Sequence, residues 1–337
     1  MSVFITGGII GGIVGGLATA YYSLVKKPHG FVEFRTGLVL KFSPEFKKGS
    51  SLIKLRNVYD DISIKEVKKR KLTAHSEEIM IPTRHGEIRS MAFKRDSGEE
   101  KPLIVFIHGG GWCIGSIASH TEQCIRVSES SDMSILSLEY SLAPEFPYPQ
   151  AVEECQDAVN WIINNELLTF CDSSRIILMG DSAGGNLSIT TAYHRLKKDG
   201  AKGIVEVVPI YPATDCFSEK GGSFTDFGEG YYLTKVLMDA FNDGYFKNGG
   251  DASSPYASPL LHDDFEGFPD TYLITAGYDP LRDEGEAFAK KLKNKNVNVF
   301  MKRYEGAVHG FFGLALFGNK GLIAVKEMGD YLKNKYA

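Results

Sequence analysis

Read from the amino end, the hydrophobic positions change character twice along this chain. Val3 to Val25 carries no charged residue over 23 positions. As a helix it spans roughly 34 Å, enough to cross the hydrocarbon core of a bilayer, so residues 1–27 are expected to be a membrane anchor in contact with lipid. Inside it Gly7, Gly8, Gly11, Gly12, Gly15 and Gly16 repeat every four residues. Such a stripe lets a second helix approach closely, and the Gly7, Gly11, Gly15 face is the expected homo-oligomer contact. A cleaved signal peptide ending near Ala18 and Ala20 and a buried amino-terminal helix are the competing readings. The first lacks a positive leader, since no Lys or Arg precedes Val25.

Residues 28–76 hold Phe31, Phe34, Leu38, Leu40, Phe42 and Phe46 without strand alternation, and predict helices that cover something. From Glu77 the pattern breaks into short apolar runs: Ile79 to Ile81, Ile88 to Phe93, Leu103 to Ile107, Ser134 to Leu138, Arg175 to Met179, Val205 to Ile210, Thr271 to Thr275 and Val297 to Tyr304. Helical stretches separate several of them, such as Ala151 to Asn164 with Ala151, Val152, Cys155, Ala158, Val159 and Ile162 on one face. Strand and helix in alternation predict an α/β fold over residues 77–337, with a mostly parallel central sheet flanked by helices. Residues 215–258 interrupt the alternation with Gly221, Gly222, Phe224, Phe227, Gly228, Tyr231, Tyr232 and Tyr245. An insertion this rich in aromatics and glycine predicts a cap over an apolar pocket.

With 337 residues, 43% hydrophobic and 24% charged, the chain suffices for one large domain. A net charge of −4 and a pI near 6.1 argue against nucleic acid as partner. The five cysteines are odd in number and form no C-x-x-C pair, which argues against a disulfide framework and a zinc site. Residues 26–71 carry thirteen Lys or Arg against five Asp or Glu. By the positive-inside tendency the folded part then lies on the cytoplasmic side of an intracellular membrane, endoplasmic reticulum or another, with a lumenal orientation as the alternative.

Chemistry concentrates in two glycine-rich turns. Gly180-Asp181-Ser182-Ala183-Gly184 satisfies G-x-S-x-G between an apolar strand and a helix, the context of a nucleophile elbow. His108-Gly109-Gly110-Gly111-Trp112 follows directly on the run Leu103 to Ile107. Backbone N–H groups bare of side chains at Gly109, Gly110 and Gly111, with that of Ala183, can face a developing oxyanion; which of the three glycines donate is open.

A serine needs a base, and the base an acid to orient it, in the chain order Ser, Asp or Glu, His for this kind of fold. Downstream of Ser182 stand three histidines. His194 is on the helix leaving the elbow and His262 is in the insertion-side loop, which leaves His309, in a glycine-flanked loop after a strand. For the acid, Asp279 follows the strand Thr271 to Thr275, while its rivals Asp283 and Glu284 are placed to open the next helix. Ser182, His309 and Asp279 together predict hydrolysis of a small-molecule ester, and the aromatic insertion with the uncharged amino-terminal run suggests that the ester is lipophilic. A non-catalytic ligand-binding receptor on the same fold, and acyl transfer to an acceptor other than water, are the alternatives.

HGGGW, YSLAPE, GDSAGGN, DPLRDEG and VHGF, in this order, make residues 77–337 similar to the hormone-sensitive lipase group of α/β-hydrolases. FIHGGGWCIGS most resembles its arylacetamide deacetylase and neutral cholesterol ester hydrolase branch. That resemblance implies cofactor-free hydrolysis of carboxylic esters, in some members of amides, and one amino-terminal membrane anchor. Ser141 stands where the group usually has arginine in YRLAPE, which removes an internal ion-pair partner and puts local packing in question.

Overall fold

A computed structural model describes residues 20–42, 45–69, 75–95, 101–164, 168–218, 221–313 and 318–337. The expected anchor and its Gly7, Gly11, Gly15 face therefore lie outside the described residues, apart from a helical segment at 20–25. Among the described residues no helix is long and apolar enough to cross a membrane.

All eight apolar runs are strands of one sheet. In chain order they are β3 (His75–Thr83), β4 (Gly86–Lys94), β5 (Pro102–Ile107), β6 (Ile135–Leu138), β7 (Asp172–Asp181), β8 (Ile204–Ile210), β9 (Asp270–Tyr278) and β10 (Val299–Val308). Two short strands precede them, β1 (Lys26–Lys27) and β2 (Gly30–Phe31), paired antiparallel with each other. The large sheet runs β10-β9-β8-β7-β5-β6-β4-β3. Its β3–β4 and β4–β6 pairs are antiparallel and the rest parallel. Parallel strands need crossover helices, and these cover both faces of the sheet, so β5 reads as an unbroken apolar run, every residue buried.

Side-chain alternation along β5 sorts the core in two. Leu103, Val105 and Ile107 point to the face covered by α4 (Gln150–Ile163), α5 (Ala183–Asp199) and α8 (Arg282–Asn294), packing in one cluster with Val152, Leu187 and Phe288. Ile104 and Phe106 share the opposite cluster with Ile125 of α3 (Ile117–Ser131) and Val325 and Met328 of α9 (Lys320–Lys335). Each such aliphatic or aromatic side chain contributes about 1.5–3 kcal/mol by leaving water.

The amino-terminal stretch forms α1 (Phe34–Phe42) and α2 (Leu52–Lys69). Arg56 of α2 straps the loop after β5. It donates to the carbonyls of Cys113 and Ala143, both at 2.9 Å, and pairs with Glu145. Ahead of α1, the His29 ring packs edge-on against Phe227 and Gly30 abuts the Tyr278 hydroxyl, which donates to the His29 carbonyl at 3.3 Å. A Cβ at Gly30 would lie 2.0 Å from that oxygen.

Residues 215–258 contain α6 (Ser223–Phe227) and α7 (Lys235–Tyr245). Thr234 caps α7 by accepting from the Leu237 N–H, and Met238, Phe241 and Tyr245 turn inward. At Ser141 the missing arginine is replaced by other bonds. The Ser141 N–H and hydroxyl both donate to the buried Glu154 at 2.7 Å, and Gln150 donates to it at 2.9 Å, so the carboxylate keeps its partners.

Candidate active site

Strand β7 ends at Asp181 and α5 begins at Ala183. The single residue between them, Ser182, carries the whole reversal at φ 54° and ψ −117°, a conformation that costs a side-chain-bearing residue energy. Two glycines make room for it. A Cβ at Gly180 would sit 2.4 Å from the Gly184 carbonyl, and one at Gly184 only 1.9 Å from that of Ile107.

Three strands deliver one side chain each to the same edge of the sheet. Asp279 is the first residue after β9 and His309 the first after β10. His309 Nδ1 lies 2.7 Å from Asp279 Oδ2, and its Nε2 lies 2.8 Å from Ser182 Oγ. Asp279 Oδ1 accepts from the Leu281 N–H at 2.8 Å. Burial is complete for Asp279 and nearly so for His309 at 6% exposure, so water does not compete for the bond between them.

The rival residues are occupied elsewhere. Asp283 accepts from the Ser223 N–H and Glu284 from the Thr214 N–H, and both stand in the first turn of α8. His262 is bound to the Ser253 carbonyl at 2.8 Å, and His194 packs beside Tyr256.

The glycine loop needs one correction. The Gly109 N–H donates to Asp181 Oδ1 at 2.9 Å, so it is taken and cannot also serve an oxyanion. Gly110 and Gly111, at φ 120° and 58°, are the glycines not committed to that carboxylate. Their crowding demands glycine: a Cβ would come within 2.1 Å of the Ile114 carbonyl at the first and of the Phe241 ring at the second.

Asp181 and its partner His120 were not foreseen from the sequence. His120 Nε2 lies 3.5 Å from Asp181 Oδ1, with both side chains buried. Burial alone would push both toward their neutral forms, yet each favours the charge of the other. Desolvation is the largest single influence on Asp181, but His120, the Gly109 N–H and His108 together hold the carboxyl below its ordinary range. Desolvation likewise opposes charge on His120, and Asp181 overrides it and raises the imidazole. His108 goes the other way, pushed down to about 3 by burial and then by His120. The signal available in the sequence was Asp181 itself, an acid inside a turn otherwise made of small residues.

Two cavities meet at Ser182. One, of about 520 Å³, runs under the 215–258 segment past Asp215, Phe217, Phe224 and Met238. The other, of about 260 Å³, runs between α1, α2 and α7 past Leu40, Leu55, Val58 and Leu237. Gly111, Ser182, Leu233 and Phe241 border both. Among the described residues no group of three His, Cys, Asp or Glu side chains is arranged to hold a metal ion.

The chain is similar in sequence and in fold to known proteins. A family described as having the alpha/beta hydrolase fold matches residues 104–313. The carboxylic ester hydrolase LipN of Mycobacterium tuberculosis is 35% identical over 76% of this chain and 69% of its own. An arylesterase of Saccharolobus solfataricus is 33% identical over 68% of this chain and 78% of its own. The solved structure of a hyperthermophilic esterase from Pyrobaculum calidifontis superposes with a TM-score of 0.84 at 35% identity, covering 88% of this chain and 96% of that one. This chain belongs to the alpha/beta hydrolase fold family, in the hormone-sensitive-lipase-like carboxylesterase group, and is an enzyme of that esterase kind.

Proposed function

We propose that the chain hydrolyses small lipophilic carboxylic esters through an acyl-enzyme on Ser182. The reading rests on one observation above all: the continuous contact Ser182 Oγ to His309 to Asp279, at 2.8 and 2.7 Å. His309 takes the hydroxyl proton as the oxygen attacks the ester carbonyl, and Asp279 stabilises the resulting imidazolium. Gly110, Gly111 and Ala183 donate to the oxyanion. His309 then protonates the departing alcohol, and a water activated the same way releases the acid. The mostly apolar walls of the 260 Å³ cavity favour a lipophilic group on one side of the ester, while the 520 Å³ cavity adds polar residues such as Asp215, Lys235 and Asp239.

A fluorophosphonate probe tests the assignment. Ser182 becomes labelled and Ser182→Ala does not, while ester turnover falls by ~10⁴-fold or more. Labelling at another serine, or full turnover without Ser182, would remove the proposal.

Two finer readings rest on sequence alone. The uncharged run Val3 to Val25 is proposed as a membrane anchor with the basic 26–71 segment on the cytoplasmic side, checked by carbonate extraction and protease protection. FIHGGGWCIGS supports membership of the arylacetamide deacetylase and neutral cholesterol ester hydrolase branch, for which side-by-side turnover of an aryl acetate and its acetamide is the direct measurement.

A further inference from the structure

Helix α1 is built inside out. At about 100° per residue, Phe34, Leu38 and Phe42 share a side with Arg35 and Lys41, and the opposite side carries the buried Thr36 and the half-buried Leu40. The apolar stripe faces solvent: Phe34 is exposed and Phe42 is 72% exposed. The segment leading into α1 continues the surface. Tyr21 stacks on Phe34 with ring centres 5.5 Å apart, Tyr22 meets Phe31 edge-on at 6.0 Å, and all four rings are exposed. Lys26 lies over the Phe31 ring and Lys41 over that of Phe42.

Charge on this surface is one-sided. Residues 20–42 carry Lys26, Lys27, Arg35 and Lys41 against the single acid Glu33, which is turned to the Asn319 N–H at 2.8 Å. Five exposed aromatic rings among cations with long stems are poorly suited to water, and well suited to headgroup depth. There the rings reach the acyl boundary while the cations meet phosphate. In the sequence ahead of Ala20, the residues from Val3 on are uncharged.

We propose that the face formed by residues 20–42 rests on an anionic lipid bilayer, with Tyr21, Tyr22, Phe31, Phe34 and Phe42 in the interface. The other side of α1 supplies Leu40 to the 260 Å³ cavity that reaches Ser182 and His309. A lipophilic ester leaving the bilayer therefore meets the mouth of that cavity at the membrane surface. This goes beyond the anchor reading, since a spanning helix alone could hold the domain away from the headgroups.

The test uses the full chain with Phe42→Trp and, at the opposite end of the sheet, Phe300→Trp at the start of β10. Each is mixed with phosphatidylcholine–phosphatidylserine vesicles whose acyl chains are brominated. The added emission of Phe42→Trp is expected to fall by about half or more and that of Phe300→Trp to stay, with weaker quenching when phosphatidylserine is omitted or salt is raised to about 0.5 M. Unquenched Phe42→Trp on protein that still sediments with vesicles would overturn the proposal, leaving the anchor as sole attachment. So would a blue-shifted, unquenchable Phe42→Trp in the absence of vesicles, which would mean that residues 1–19 or a second copy cover the patch. A second variant, Phe34→Ser with Phe42→Ser, is expected to keep turnover of a water-soluble ester and lose about 10-fold on an ester dissolved in vesicles. Equal loss on both substrates would overturn it too. The quenching readout needs no turnover, so it stands or falls apart from the esterase assignment.

Discussion

Asp279 divides its oxygens between the Leu281 N–H and His309. Asp279→Asn keeps the shape but offers His309 an amide, which favours the wrong tautomer for the proton transfer proposed above. By analogy with serine proteases kcat should fall ~10⁴-fold with KM little moved, read from steady-state turnover of a p-nitrophenyl ester. Asp181→Ala acts at one remove, by removing the acceptor of the Gly109 N–H and so loosening the two glycines beside it. A drop of about 10-fold or more in kcat, with fluorophosphonate labelling slowed in parallel, is expected; a change in KM alone would place Asp181 outside the oxyanion loop's support. These residues were unequally legible. Ser182, His309 and Asp279 each sit next to glycine or a strand end in a fixed order, which is local information. The Asp181 bond to Gly109 joins positions 72 apart in the chain, and nothing near either residue announces it.

Among the elements, α7 lines both cavities. Its Phe241 borders both cavities and packs where a side chain at Gly111 would have to go. Phe241→Ala should merge the two spaces at the serine and shift the preferred p-nitrophenyl ester toward longer acyl chains, with the acetate losing rate; an unchanged chain-length profile would show that Phe241 sets no boundary. The strands were readable for a reason visible in β5 and β7, whose burial on both faces leaves continuous apolar runs. The ends of β3 were not. It is an edge strand whose first four residues, His75 to Glu78, are exposed, and their polarity hides a pairing that only the neighbouring β4 supplies. The outward face of α1 was equally hidden, because Phe34 and Phe42 look like core residues until the helix is turned to face solvent.

For the molecule as a whole, the His120–Asp181 pair makes stability depend on pH in a defined direction. His120 is raised above its ordinary 6.5, so its contribution is complete below about that value and is lost as pH climbs through the folded value. Asp181 is depressed below its ordinary 3.8, so its contribution is present above that value and is lost as pH falls through the folded one. His120→Gln should therefore lower the melting temperature more at pH 6 than at pH 9. An equal loss at both values would mean the pair carries no charge.

The seat of Gly30 against Tyr278 has a mechanical corollary. Tyr278 is the last residue of β9, immediately before Asp279. The carboxyl-terminal helix instead ties down at the far end of the sheet, where Tyr331 and Tyr336 bond Glu206 near the start of β8. Force applied ahead of Ala20 is thus expected to reach Asp279 through Tyr278, whereas force applied at Ala337 loads first the Tyr331 and Tyr336 bonds to Glu206. Enzyme immobilised on beads by its amino end should turn over more slowly than the same enzyme held by its carboxyl end.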